Sequence, residues 1–179
     1  MNGSSLAQPI TMDLGTPARK SFLGTYRALA ACTREFAQLT DEVVKRAGAL
    51  HTAGLADKPV VRQMPGRCIV QLGPVALTLA WLRSTLDSVA DGELLVIVWR
   101  GAVAPRGDHQ PERTRETSTP RTAKVLWEDV LIAVAASSAD WTWQAKRADG
   151  GSFSSTALAD HCVEQLRAAH AAPALEHGS

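Results

Sequence analysis

The chain has 179 residues, of which 45% are hydrophobic, and its 19 basic and 18 acidic side chains leave a formal net charge of +1. This length and composition predict a single globular domain with a sizeable hydrophobic core. The near balance of charge makes nucleic acid an improbable partner, and no apolar run reaches the ~18 residues that a membrane span needs.

Three cysteines, Cys32, Cys68 and Cys162, lie far apart and form no CxxC pair. This pattern favours reduced thiols in a cytoplasmic protein over a disulfide scaffold. Residues 1–15 lack the apolar core of a secretory signal. We therefore expect flexible tails over 1–15 and 173–179, on either side of one domain spanning 16–172.

The first predicted element is a long amphipathic helix over residues 17–53. Its apolar side chains recur every seven positions, at Phe22, Leu29, Phe36, Val43 and Leu50. Such spacing places them on one helix face. Thr16 is the predicted N-cap, and Gly54 is the predicted C-terminal cap.

A continuous helix of this length would extend about 55 Å, since each residue adds 1.5 Å. That exceeds the width of a small sheet. Either Gly24 or Gly48 interrupts the helix, or its overhang packs on another subunit. The second alternative predicts a homodimer formed through helix 17–53.

Short strands are predicted to follow a charged loop over 57–66. The run from Cys68 to Leu72 is the first of them. Segment 75–90 has two interpretations, because its alternation favours a strand through about Arg83 whereas a helical stripe also begins after Pro74. We favour the strand.

Residues 93–100 form the clearest predicted strand, with a continuous apolar run of mainly branched and aromatic side chains. Since both of its faces are apolar, it should lie in the middle of a sheet covered on both sides. The C-terminal helix or a partner subunit is expected to cover the second face.

The remaining segments complete an α+β domain. Residues 104–122 form a long polar loop with four arginines, three acids and no aromatic residue, unlike a nucleic-acid-binding arm. Strands follow over 124–136 and 141–147, the latter at a sheet edge, and a helix over 155–171 is capped by Ser154 or Ser155. The predicted fold is an antiparallel sheet of about five strands packed by a long N-terminal helix and a C-terminal helix.

Two adjacent acids, Glu128 and Asp129, interrupt the apolar strand 124–136 and must face opposite sides of the sheet. A bulge, an ion pair or a functional acid lining a pocket would each account for them. If Trp99 lies opposite Trp127, Arg100 is diagonal to Glu128 and available as its partner.

Five tryptophans fall within the predicted strands. Core packing accounts for most of them, but two or three on a concave sheet face would bind an apolar or aromatic ligand. Trp141 and Trp143 share one strand face and are the first pair to consider.

These observations favour a non-catalytic cytoplasmic homodimer that binds a small apolar or aromatic ligand or a protein partner. Its ligand face would consist of Trp127, Trp141, Trp143, Arg100 and Glu128. The alternative is an enzyme that uses Glu128 or Asp129 as a general acid or base. A third hypothesis is a subunit that docks another protein through helix 17–53 and the long loop.

No metal or cofactor is predicted. His161 and Cys162 are adjacent, whereas two ligands on one helix face are three or four residues apart.

Overall fold

The computed structural model describes residues 23–83, 89, 91–101, 123–135 and 141–172. The described residues form seven strands in one antiparallel sheet and two helices, which is the predicted α+β class. The predicted tails, the cap at Thr16 and the loop 104–122 lie outside the described residues.

Helix α1 spans Tyr26–Thr52, and Thr25 is its N-cap because the Thr25 hydroxyl accepts a hydrogen bond from the Ala28 N–H. The predicted helix 17–53 is interrupted, since Thr25 has extended backbone angles after a turn at Gly24. The interruption at Gly24 is one of the two predicted positions. Gly48 lies inside the helix and leaves it unbroken.

The predicted end of this helix at Gly54 is confirmed. Gly54 has φ +71° and donates its N–H to the His51 carbonyl, while the Leu55 N–H bonds to the Leu50 carbonyl. These two bonds form a Schellman motif, in which glycine adopts the left-handed conformation at little cost.

The sheet consists of β1 (Val60–Met64), β2 (Arg67–Leu72), β3 (Val75–Leu82), β4 (Glu93–Arg100), β5 (Lys124–Ala135), β6 (Trp141–Ala145) and β7 (Ser152–Phe153). Its spatial order follows the chain from β1 to β7, so each strand pairs with its sequence neighbours. Helix α2 spans Ser155–Ala171 and begins at the predicted cap Ser154, whose hydroxyl accepts from the Ala157 N–H.

Strand β3 confirms the strand interpretation of segment 75–82 over the helical one. Two strands were missed. β1 occupies the segment predicted to be a loop, because the Gly66 turn folds it back onto β2, and β7 adds two residues outside β6. β6 is therefore not the outermost strand.

Both helices pack on the same sheet face. They bury one alternating set of strand residues, which includes Val70, Leu77, Val96 and Leu131, in a core with helix residues such as Leu39 and Leu166. The second face was expected to be covered by the C-terminal helix or by a partner subunit, and α2 does not cover it. Helix α2 lies beside α1, and the buried residues of α2 contact both α1 and the sheet.

Candidate functional site

Trp141 and Trp143 share one face of β6, as predicted, but that face belongs to the core. They are 7% and 1% exposed, respectively. The Trp143 indole N–H donates to Ser155 Oγ over 3.0 Å, and the Ser155 hydroxyl donates to Glu35 Oε2 over 2.7 Å. Trp143 thus joins the sheet to both helices, which is a structural role.

Trp127 faces the same core and is half-buried. Its ring centroid lies 5.5 Å from that of His161 in an edge-to-face arrangement. His161 in turn stacks on Phe153 at 5.4 Å. This aromatic cluster links β5, β7 and α2, so His161 acts there as a packing residue.

Arg100 also points towards the helices. Its guanidinium donates to the backbone carbonyls of Ala169 and Ala172, over 3.0 and 3.2 Å. The last carbonyls of a helix have no partner within it and carry partial negative charge. Arg100 therefore caps the C-terminus of α2.

The predicted diagonal between Arg100 and Glu128 is wrong. The register pairs Val98 with Trp127 but Trp99 with Val125, since a bulge shifts the β4–β5 pairing by one residue at this point. Glu128 consequently lies opposite Ile97, on the sheet face away from Arg100.

Asp129 faces the core and is 4% exposed. Its Oδ2 accepts from the Arg147 guanidinium over 3.0 Å, and its Oδ1 accepts from the Val130 N–H over 2.9 Å. The ion pair predicted for the adjacent acids therefore exists, with Asp129 and Arg147 as its members. A bulge occurs as well, just before the two acids.

The five residues of the predicted ligand face are thus not brought together. Trp127, Trp141, Trp143 and Arg100 face the helices, whereas Glu128 faces the opposite side and is exposed. Whether any of them binds a ligand stays a prediction.

The three cysteines lie in the core. Burial raises the pKa of Cys32 and of Cys162 to about 12, and that of Cys68 to about 11. Since the thiolate is the nucleophilic form, these protonated thiols are poor nucleophiles at neutral pH.

An open groove of about 670 Å³ runs along the first turns of α1. Three arginines and Tyr26 line it, and most of these side chains are exposed. The groove is basic but wide open to solvent, as an ordinary helix surface is.

The second sheet face is the more distinctive surface. No helix in the described part of the chain packs on it. The register aligns a row of side chains across it from β1 to β5, in the order Arg62, Ile69, Thr78, Ile97 and Glu128. We call the face that carries this row the open face.

Apolar side chains surround the row. Elsewhere on the same strands, five large hydrophobic residues of the open face are 37 to 56% exposed, namely Val60, Met64, Leu82, Val125 and Ile132. Exposed apolar residues that cluster on one surface are typical of an interaction site.

Trp99 lies at the centre of the open face. Trp99 is paired with Ala76, and its indole N–H donates to Thr78 Oγ1 over 3.2 Å. The ring therefore extends from its own row to the neighbouring row, which contains Thr78. Ala76 and Thr78 are 0% and 2% exposed. A half-buried tryptophan above small residues is a common centre of protein–protein interfaces.

Two charges of the open face have no hydrogen bond or ion pair with any residue that the structure describes. These are Arg67 on β2 and Glu128 on β5. They lie on opposite sides of the central strands β3 and β4.

Trp99 and its neighbours were not among the predicted site residues. The signal for this site was the strand 93–100, apolar on both faces and therefore in need of a second covering layer.

Among the described residues, no helix is long and apolar enough to cross a membrane, and no cluster of His, Cys, Asp or Glu is arranged to hold a metal ion. No family model, curated protein or solved structure matches this chain.

Proposed function

We propose that the chain is a non-catalytic subunit that works as a homodimer, with a second copy covering the open face. The observation that carries this proposal is the central strand β4, whose helix-facing residues are buried by the core while its other face carries Leu95, Ile97 and Trp99. A strand that is apolar on both faces belongs between two layers.

The geometry favours a protein partner over the small apolar ligand. Trp141 and Trp143 are buried against the helices, which leaves little of either ring for a ligand to contact. The open face, in contrast, extends over five strands, and a surface of that extent suits another protein better than a small molecule.

The area of the open face is consistent with a dimer. Strands lie about 4.8 Å apart, and residues on one face recur about every 6.8 Å, so five strands and four rows span about 600 Å². Two copies would cover about 1,200 Å² of sheet together. The accessible area that they bury is smaller, because Ile69, Ala76, Thr78, Ala80 and Ile97 are at most 8% exposed in the single chain, so the expected dimer is of the weaker, smaller-interface class.

The dimer through helix 17–53 has less support. That dimer was predicted because a helix of about 55 Å would extend beyond the sheet, whereas α1 has 27 residues and measures about 40 Å. We therefore place the proposed interface on the sheet.

The enzyme alternative also has less support. Asp129 is held by Arg147 and by the Val130 N–H, and Glu128 is exposed on a broad face. A general base needs a carboxylate that reaches a substrate proton within a closed site.

Sedimentation equilibrium of the purified full chain over a wide concentration range tests the proposal. We expect the wild-type protein to dimerise, and Val125→Lys to weaken the dimer at least about tenfold, because a charge would be buried in the interface. Val125 is 40% exposed in the single chain, so the substitution should leave the fold intact.

Leu55→Lys is the matched control. Leu55 is 61% exposed and lies in the loop after α1, away from the open face. This variant should dimerise like the wild type. A wild-type chain that stays monomeric at every concentration would overturn the proposed function.

A further inference from the structure

Resting on that proposed function, we infer that the two copies stack face to face about a two-fold axis parallel to β3, so that Glu128 of each copy meets Arg62 and Arg67 of the other. The inference starts from the row Arg62, Ile69, Thr78, Ile97 and Glu128. Its ends carry opposite charges, and its middle residue is on β3.

Symmetry restricts the choice of axis. Two identical sheets that face each other are related by a two-fold axis lying in the plane between them. This axis runs either along the strands or across them. The two choices place different residues opposite one another.

An axis across the strands sets each strand over its own copy. If it follows the charged row, Glu128 faces Glu128 and Arg62 faces Arg62. Like charges in direct opposition within an apolar interface are strongly unfavourable.

An axis along β3 exchanges β1 with β5 and β2 with β4. Arg62 then lies over Glu128 of the second copy, and the same pair forms again on the other side of the axis. The neighbouring row sets Met64 over Val130 and Arg67 over Leu95 of the second copy. One symmetry operation thus sets Arg62 over Glu128 and Met64 over Val130, and it leaves Arg67 diagonal to Glu128 of the second copy.

The residues on the axis allow the sheets to approach. Ala76, Thr78 and Ala80 are the open-face residues of β3 along the central rows, and all three are small. Aligned sheets pack about 10 Å apart with their strands at about 30°, which moves facing side chains by a few Å along the strand. Arginine side chains span that distance, and Arg67 lies one row beyond Arg62.

Glu128 and Arg67 supply the further observation. Neither side chain forms a hydrogen bond or an ion pair with another described residue. Once a second copy covers the face and excludes water, only a complementary charge satisfies these side chains, which makes them specificity elements.

Charge-reversed chains test the arrangement by sedimentation equilibrium. In Glu128→Arg, the new arginine would face Arg62 and Arg67 of the second copy. In the double variant Arg62→Glu and Arg67→Glu, the new acids would face Glu128. We expect each variant alone to dimerise at least about tenfold more weakly than the wild type.

An equimolar mixture of the two reversed chains restores both pairs. We expect heterodimers of near wild-type affinity, which native mass spectrometry separates from homodimers if one chain is isotopically labelled. Asp149→Arg is the matched control, since it changes the net charge by the same amount as Glu128→Arg. Asp149 lies in an exposed turn between β6 and β7, outside the open face, so this variant should dimerise normally. Circular dichroism confirms that each variant is folded.

The outcomes separate the two proposals. A wild-type monomer overturns both the proposed function and this arrangement. If the wild type dimerises and Val125→Lys weakens the dimer, but the reversed chains dimerise normally or fail to form heterodimers on mixing, the open-face dimer stands and the two-fold axis along β3 is overturned.

Discussion

At the scale of single residues, Asp129 shows how a strand accommodates an acid that faces the core. The carboxylate is 4% exposed, and both of its oxygens are bonded, one to Arg147 and one to the Val130 N–H. Glu128, its neighbour, avoids the same problem by facing away from the helices. Because side chains alternate along a strand, Asp129 is buried and stabilised by its partners, whereas Glu128 lies on the surface.

Arg147→Ala should lower the free energy of unfolding by about 1–3 kcal/mol, because it leaves a buried carboxylate with one partner fewer. The lower part of that range is expected, since the Arg147 side chain is 54% exposed and solvent screens the pair. Urea unfolding at neutral pH measures the change.

The matched control is Arg167→Ala, which removes an exposed ion pair with Glu164 on α2. Solvated pairs of this kind contribute little. An Arg147→Ala variant no less stable than Arg167→Ala would show that Asp129 does not depend on its arginine.

The buried thiols predict a loss of stability in alkali. Burial raises the pKa of Cys162 from 9.0 to about 12, so above pH 9 the unfolded chain loses a proton that the folded chain keeps. This contribution to stability is complete below about pH 9 and is lost as the pH rises towards 12, by at most about 1.4 kcal/mol per pH unit.

Cys162→Ala should flatten this decline, because the substituted site no longer titrates. Its cost from lost packing is the same at every pH. Unfolding free energies measured between pH 8 and about 11 should therefore converge for the two proteins. Parallel profiles would contradict the assignment.

At the scale of elements, two glycines of one helix illustrate how position decides a residue's effect. Gly48 lies within α1, whereas Gly54 follows its end with φ +71°. A Cβ added to either one would meet no atom within 4 Å. Backbone conformation alone therefore separates them.

Gly48→Ala should stabilise the protein by about 0.5–1 kcal/mol, because alanine has the higher helix propensity. Gly54→Ala should destabilise it by about 1 kcal/mol, because alanine is strained in the left-handed region. Thermal and urea unfolding of both variants measure the signs, and a shared sign would contradict the Schellman motif.

At the scale of the whole molecule, the sheet is ordered as a meander with its most apolar strands in the middle. β3 and β4 are paired on both sides, whereas β1 and β7 each pair with a single neighbour. Elements with more pairing and more buried apolar contacts open less often.

Hydrogen exchange should therefore be slowest in β3 and β4, at rates that report global unfolding. β1 and β7 should exchange by local opening, well before the rest of the sheet. Mass spectrometry of deuterated peptides measures this order. Equal protection of β1 and β4 would contradict it.

Much of the fold was predictable because it depends on local pattern. The strand 93–100 follows from its run of branched apolar residues, and the helix ends at Gly54 and Ser154 follow from the chemistry of their caps. β1 was not predicted, although three of its five residues are apolar, because it is short, lies between Pro59 and Pro65, and is stabilised by pairing with β2. An edge strand depends on its neighbour more than on its own residues.

The sequence by itself determined the α+β class, the helix caps at Gly54 and Ser154, and the position of the central strand 93–100. Only the tertiary structure decided which residues share a face. A single bulge between β4 and β5 separates Arg100 from Glu128, because side chains alternate along a strand and a shift of one residue reverses their side. Likewise, α2 packs beside α1, so no helix of the described chain lies on the open face. The periodicity of a strand shows that both of its faces are apolar, but only long-range contacts decide which face a helix covers.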